Sequence, residues 1–261
     1  MSYTFISGAT GGIGKAFAYE LASRGYNLFL TGRNQDKLEK LKSDILLKYS
    51  VDIKVFACDL TDYNSRNQML IFIDQENIKF SGIYNVAGVD TQKAFTEYSE
   101  EKLLFQLRVN VESTIHITHA LLKRKAEKLE ILTVSSMSGQ SPMPYFAIYS
   151  ASKAMLTNFF TSLHYELKKD EVKVTTVLPG GVYTREDVVK EIESQGLWGK
   201  LSALKPEVVA KRSIKALKKN KVKYIPGGFN KFLNFIMKLA PKKIVLSFIA
   251  RRWKKHSKDA F

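Results

Sequence analysis

A single cysteine, Cys58, stands in 261 residues. No internal disulfide can form, and a thiol that follows a strand-like run reads as a buried, reduced side chain rather than a nucleophile. Long hydrophobic runs are also missing: no stretch reaches the ~18 uninterrupted apolar residues of a spanning helix. The N-terminus opens on a strand pattern without a basic-then-apolar leader. Neither secretion nor a membrane span is expected, and the chain reads as cytoplasmic. The four histidines, His116, His119, His164 and His256, show no metal-ligand spacing, and the first three fit helix faces better, so no metal is expected. No internal repeat and no base-reading motif is present, which argues against nucleic acid as a partner. Acidic residues are scarce in one place. Residues 205–261 hold 17 of the 41 Lys and Arg but only Glu207 and Asp259 of the 25 acidic residues, hence +15 of the formal +16. The preceding body is nearly neutral, so the basic character belongs to a C-terminal segment.

What is present suits one α/β domain with a substantial core: 45% of residues are hydrophobic and 25% charged. Tyr3 to Ser7 is a short β-rich run. It is followed at once by Gly8-Ala9-Thr10-Gly11-Gly12-Ile13-Gly14 and by Ile13, Phe17 and Leu21 at helical spacing. Strand, glycine loop and helix in this order let backbone N–H groups approach a phosphate at a helix N-terminus, and a dinucleotide pyrophosphate is the natural guest. A second strand closes on Thr31-Gly32-Arg33. An acidic residue there would hold a ribose 2′-hydroxyl and an arginine a 2′-phosphate, so Arg33 predicts NADP(H) in preference to NAD(H).

A helix from Gln35 to Lys48 and a strand from Ile53 to Ala57 lead to Asp59-Leu60, an adenine-side candidate pair, with Asp62 as a helix cap. A fourth strand, Ser81 to Asn85, runs into Asn85-Val86-Ala87-Gly88, where small residues let backbone lie beside a flat ligand. The spacing predicts one long helix from Glu100 to Glu127 containing Asn110, a strand from Leu129 to Ser135 ending beside Ser136, a helix from Ile148 to Lys169 and a strand from Lys173 to Leu178. The last strand ends in Pro179-Gly180-Gly181-Val182-Tyr183-Thr184. Residues 185–205 lack strong periodicity and read as a loop acting as a lid or binding element. Pro206 opens a helix to Asn220, and Lys223 to Ile225 is a seventh strand. Strands alternating with helices predict a doubly wound, Rossmann-like parallel sheet of about seven strands, with ligands at the carboxyl ends.

Tyr149 and Lys153, four residues apart in Tyr149-Ser150-Ala151-Ser152-Lys153, share a helix face. The ammonium is expected to lower the pKa of the phenol and make it a usable acid or base.

Taken together, these pieces resemble the short-chain dehydrogenase/reductase family from about Ser2 to Ile225. Five signatures stand in the family's order: Ser7-Gly8 to Gly12-Ile13-Gly14, Asn85 to Gly88, Asn110, Ser136 with Tyr149 and Lys153, and Pro179-Gly180 with Thr184. Two positions depart from the usual motif, Ser7 for threonine and Val86 for asparagine. The resemblance implies hydride transfer between a nicotinamide and a small-molecule carbonyl or alcohol. Tyr149 would donate the proton, and Lys153 would serve both the tyrosine and the nicotinamide ribose. Ser136 would bond the substrate oxygen, and Asn110 would hold a water that joins Lys153 to solvent. Gly8, Thr10, Gly12, Ile13, Gly14, Arg33, Asp59, Leu60, Asn85, Ala87 and Gly88 would line the cofactor, with Pro179, Gly180, Val182 and Thr184 at its carboxamide. A homo-oligomer, dimer or tetramer, is expected. The competing reading is a non-catalytic NADP(H) sensor or membrane-surface adaptor on the same fold.

Residues 1–225 form the expected domain and 226–261 a basic amphipathic extension. Phe229, Phe232, Leu233 and Ile236 fall on one helical face. After Pro241 come Ile244, Val245, Phe248 and Ile249, then Arg251-Arg252-Trp253-Lys254-Lys255. Apolar faces with basic flanks predict a peripheral contact with the inner membrane surface, a cap on the substrate pocket or a subunit contact. A similar tail occurs on some bacterial and lipid-acting members of the family, and the resemblance implies a hydrophobic or acyl substrate.

Overall fold

The computed structural model describes residues 1–194 and 196–254; Lys255 and His256 lie outside the described residues. The strands are β1 (Ser2–Ser7), β2 (Leu28–Gly32), β3 (Ile53–Ala57), β4 (Lys79–Asn85), β5 (Lys125–Val134), β6 (Val172–Val177) and β7 (Lys223–Tyr224). They form one sheet in the order β3-β2-β1-β4-β5-β6-β7, with every pairing parallel. A parallel sheet covered on both faces needs strands apolar on both sides. Accordingly, all five residues of Leu28–Gly32 are buried, as are five of the six in Ser2–Ser7.

The helices are α1 (Gly12–Ala22), α2 (Gln35–Leu46), α3 (Tyr63–Gln75), α4 (Glu100–Leu107), α5 (Ser113–Leu122), α6 (Ala147–Glu166), α7 (Glu186–Ser194), α8 (Gly196–Ser202), α9 (Pro206–Lys218), α10 (Gly228–Leu239) and α11 (Lys242–Trp253). Phe17, Leu21, Leu38, Leu41, Ile214 and Leu217 carry α1, α2 and α9 onto one face of the sheet. Met69, Ile73, Ile117, Leu121, Leu156 and Phe160 carry α3, α5 and α6 onto the other. On that second side Phe5, Phe29 and Phe80 pack ring against ring at 5.9–6.1 Å. Burying each such ring stabilises the fold by roughly 2–3 kcal/mol.

Two expectations are corrected. The predicted long helix is α4, a π-helical turn over Arg108–Glu112 and α5, and it stops at Leu122. Lys125 instead pairs with Phe80 at the start of β5, so strand pairing overrides the helix propensity of the Lys-Arg-Lys-Ala-Glu run. Residues 185–205 are not a loop: they hold α7 and α8. Gly196, at φ 62°, stands at the break between the two helices, and the bridge Val182–Leu204 returns the chain to the body.

The strand order reverses between β1 and β4, which opens a crevice at their carboxyl ends. Ser7 spans it: its hydroxyl accepts from the N–H groups of Val86 and Ala87 at 3.0 and 3.2 Å.

Candidate active site

The glycine loop and the β4 loop meet at this crevice. Gly8 turns with φ 64°, and a Cβ on it would lie 2.8 Å from the Ala87 Cα, so only glycine permits the approach. Helix α1 then starts at Gly12 with no side-chain cap and no acidic residue in its first turn. Its first N–H groups and the positive end of its dipole are thus left to a ligand phosphate. Thr184 closes over the same point, since a Cβ on Gly12 would come 2.8 Å from that of Thr184.

A Cβ on Gly32 would meet Thr10 Oγ1 at 3.3 Å, which leaves little room for a carboxylate there. Arg33 is exposed at the end of β2, its guanidinium 5.9 Å from the Phe105 ring centroid on α4. Asp59 accepts from the N–H and hydroxyl of Thr61, while Asp62 caps α3. The Leu60 carbonyl accepts from the buried Arg66, which also pairs with Glu112. These residues fit a dinucleotide laid across the switch point. Asn85 behaves differently, because its amide donates to Thr118 and Thr133 inside the fold. Its side chain braces the sheet rather than facing the crevice.

The predicted reacting set lies beyond the end of β5. Lys153 is 3% exposed, donates to the Val134 carbonyl at 3.0 Å and sits 5.6 Å from the Tyr149 ring centroid. The Ser135 hydroxyl donates to the Lys153 carbonyl at 2.7 Å and docks α6 on the sheet. A 3-10 turn over Met137–Gln140 packs so closely on α6 that a Cβ on Gly139 would fall 2.7 Å from the Lys153 carbonyl carbon. Asn110, in the π turn, accepts from Val89 N–H at 2.8 Å and donates to the Val89 carbonyl and to Ser152. Its side chain clamps the β4 loop to α6, and the π turn aims it there.

Burial reverses the expected shift of the tyrosine. The Tyr149 phenol is pushed up from its ordinary value by burial and then by the Asp90 carboxylate, against a lowering hydrogen bond with Ser136. Burial brings Lys153 down to about 8, with Asp90 opposing. A phenolate and an ammonium both lose hydration here, which disfavours the charged form of each. Tyr149 stays protonated at neutral pH, as a free phenol does, and burial by itself makes it a weaker acid.

Three contributors escape a motif reading. Ser138 donates its hydroxyl to Ser136 Oγ at 2.7 Å, leaving the Ser136 proton free for another acceptor; its only sequence signal is standing two residues after Ser136. Asp90 follows the Asn85–Gly88 motif and acts on both titrating groups. Phe146 stacks on Tyr149 at 4.5 Å and on Trp253 of α11 at 5.8 Å, so the C-terminal helix reaches the site. Pro179 accepts from Met137 N–H, and a Cβ on Gly180 would meet the Asn230 amide of α10 at 2.8 Å. Of the histidines, His164 bonds the Val174 carbonyl in the core and His116 lies against Arg66 and Tyr63.

Residues 2–195 match the family model described as short chain dehydrogenase. The human protein called inactive hydroxysteroid dehydrogenase-like protein 1 is 36% identical over 187 residues, 70% of this chain and 56% of that protein. The very-long-chain 3-oxoacyl-CoA reductase of Kluyveromyces lactis is 33% identical over 186 residues, 68% of this chain and 54% of that protein. The chain thus spans about half the length of these curated relatives. A solved structure described by the stereoselectivity of a 7beta-hydroxysteroid dehydrogenase superposes with a TM-score of 0.85 at 25% identity, covering 95% of this chain and 96% of that one.

Proposed function

The chain belongs to the short-chain dehydrogenase family, and from that premise we propose that it is an NADPH-dependent reductase of hydrophobic ketones. One observation carries the reading: Ser136 and the Lys153 ammonium, 5.6 Å from the Tyr149 ring centroid, stand beside Tyr149 at the carboxyl ends of the sheet next to the uncapped start of α1. A relative called inactive by name means that similarity alone does not decide turnover. The intact triad favours an enzyme over a dinucleotide sensor, which needs no assembled proton donor.

The nicotinamide, when bound, supplies the hydride. Ser136 and Tyr149 then donate to the substrate oxygen as charge develops on it, and Tyr149 surrenders its proton to the alkoxide. Lys153 limits the cost of the phenolate left behind. Gly8, Thr10, Gly12, Ile13 and Gly14 would hold the pyrophosphate, Asp59 and Leu60 the adenine side, Ala87 and Gly88 the ring face, and Pro179, Gly180, Val182 and Thr184 the carboxamide. Arg33 would take the 2′-phosphate. Phe146 and Trp253 supply apolar wall beside Tyr149, and the relatives' names, which concern steroids and very-long-chain acyl groups, support a hydrophobic substrate.

The test is NADPH oxidation by the purified chain with a panel of bulky ketones, and then with Tyr149→Phe. The variant is expected to lose about 10²–10⁴-fold in turnover while NADPH affinity stays within a few-fold. Retained turnover would sink the proton-donor assignment, and no turnover with any ketone would favour the sensor.

A further inference from the structure

Helix α10 carries two rows on adjoining sides. Phe232, Phe235, Ile236 and Leu239, at i, i+3, i+4 and i+7, are 62, 59, 42 and 67% exposed. Lys231, Asn234 and Lys238 form the neighbouring row, and they close a cleft of about 220 Å³ with Lys221, Lys223 and Tyr224 of the β7 edge. Four lysines line that cleft and no carboxylate does. The ammonium groups of Lys221 and Lys231 stand 5.9 and 5.6 Å from the Tyr224 ring centroid. The apolar surface continues on α11 with Ile244 and Phe248, 64 and 58% exposed, and Lys242, Lys243 and Arg251 are exposed around them.

The helix is not loosely appended. Asn230, buried on its inner side, donates to the carbonyls of Ser202 and Pro226, and α10 packs on the 3-10 turn that follows Ser136. A row of four large apolar side chains facing water is costly unless something covers it. A second copy is a poor occupant, because a two-fold contact uses the same patch on both copies and the cleft in this one offers four lysines and no carboxylate to meet them. Nucleic acid would use the lysines and leave the apolar row in water. No helix among the described residues is long and apolar enough to cross a membrane, and the two rows on one helix have the division of an interfacial helix.

We propose that α10 and α11 dock on an anionic phospholipid leaflet, the apolar row entering the acyl boundary while the four-lysine cleft takes a lipid phosphate. The proposal stands independently of the reductase reading, but it would bring a lipid-dissolved substrate to the turn beside Ser136.

The test is co-sedimentation of the full chain with vesicles of phosphatidylcholine alone or with a third phosphatidylglycerol. The expected result is binding to the anionic vesicles only, weakened as salt rises. Lys231→Ala with Lys238→Ala should cost about 25-fold in partitioning, at about fivefold per lysine. Phe235→Ser with Leu239→Ser should abolish binding with the circular dichroism unchanged. The proposal is overturned by equal binding to both vesicles, by unaltered binding of the lysine variant, or by competition from glycerol phosphate at matched phosphate concentration, which would make the cleft a soluble-phosphate site. It is also overturned if the chain ignores vesicles and forms a dimer that Phe235→Ser dissolves, or if it binds an oligonucleotide more tightly than vesicles and unaffected by the loss of Phe235 and Leu239.

Discussion

The carboxyl ends of β5 and β6 and the surface of α10 and α11 both present lysines and aromatic rings, yet the two places use them in opposite ways. At the sheet end Lys153 is buried, its pKa drawn down to about 8 and its ammonium fixed on one carbonyl. On α10 the lysines stand in water around a cleft, and no single one is positioned for chemistry. The rings divide likewise, since Phe146 and Tyr149 are stacked and half-buried or buried whereas Phe232 and Phe235 face solvent. Charge removed from water acts on one neighbour at short range. Charge left in water acts collectively and is screened by salt.

The largest effect that could break this contrast comes from Lys153→Met. If Lys153 is a costly, working charge, turnover should fall by about 10²-fold or more while the fold becomes more stable at neutral pH. The sign follows from linkage. The folded pKa, about 8, lies below the ordinary 10.5, so the unfolded chain binds more protons between those values. The burial penalty is therefore complete below about pH 8 and fades as pH rises toward 10.5. Removing the charge should return on the order of 2 kcal/mol at pH 7, less than the full shift because Val134 loses its donor. Thermal unfolding at pH 7 and pH 10 checks this, with a clear rise of Tm expected only at pH 7; an unchanged or lower Tm at pH 7 would mean that Lys153 is not buried as a charge.

An intermediate effect belongs to Arg33, which sits at the sheet end yet is exposed. Arg33→Ala should weaken NADPH binding about 10–100-fold, the worth of charge-assisted phosphate bonds, and leave NADH within about twofold. Titration calorimetry with both cofactors decides it, and equal losses would reject the 2′-phosphate role.

The smallest effect tests the contact between the two regions. Trp253→Ala removes the ring stacked on Phe146, a loss of about 0.5–1.5 kcal/mol beyond the apolar area the ring covers, which should lower Tm by a few degrees and raise KM for a bulky ketone several-fold with kcat held. No change in either quantity would mean that α11 does not wall the site.

Much of the site was legible because its signals are local. Glycines at a strand-to-helix turn, a Tyr and a Lys one helical turn apart and a serine at a strand end are properties of short segments, and the structure gathers them at one crevice. The sheet was legible through alternation of apolar strands with amphipathic helices. Misreadings occurred where local patterns are weak. Helices α7 and α8 are short, nine and seven residues, and glycines stand at the break between them and inside α8, at Gly196 and Gly199. The start of β5 carries a helix-favouring run whose state is decided by its partner strand.

By itself the sequence determined the order of the seven strands, the family, the glycine loop after β1 and the separation of a neutral body from a basic end. Tertiary structure alone decided that burial raises the Tyr149 pKa, that Asn85 faces inward, that Ser138 stands against Ser136 and Asp90 near Tyr149 and Lys153, and that Trp253 returns to them from far along the chain. The physical reason is that hydration loss, Coulomb interaction and ring contact are sums over neighbours in space, and those neighbours come from residues 90 to 253, brought together only when the sheet and its covering helices close.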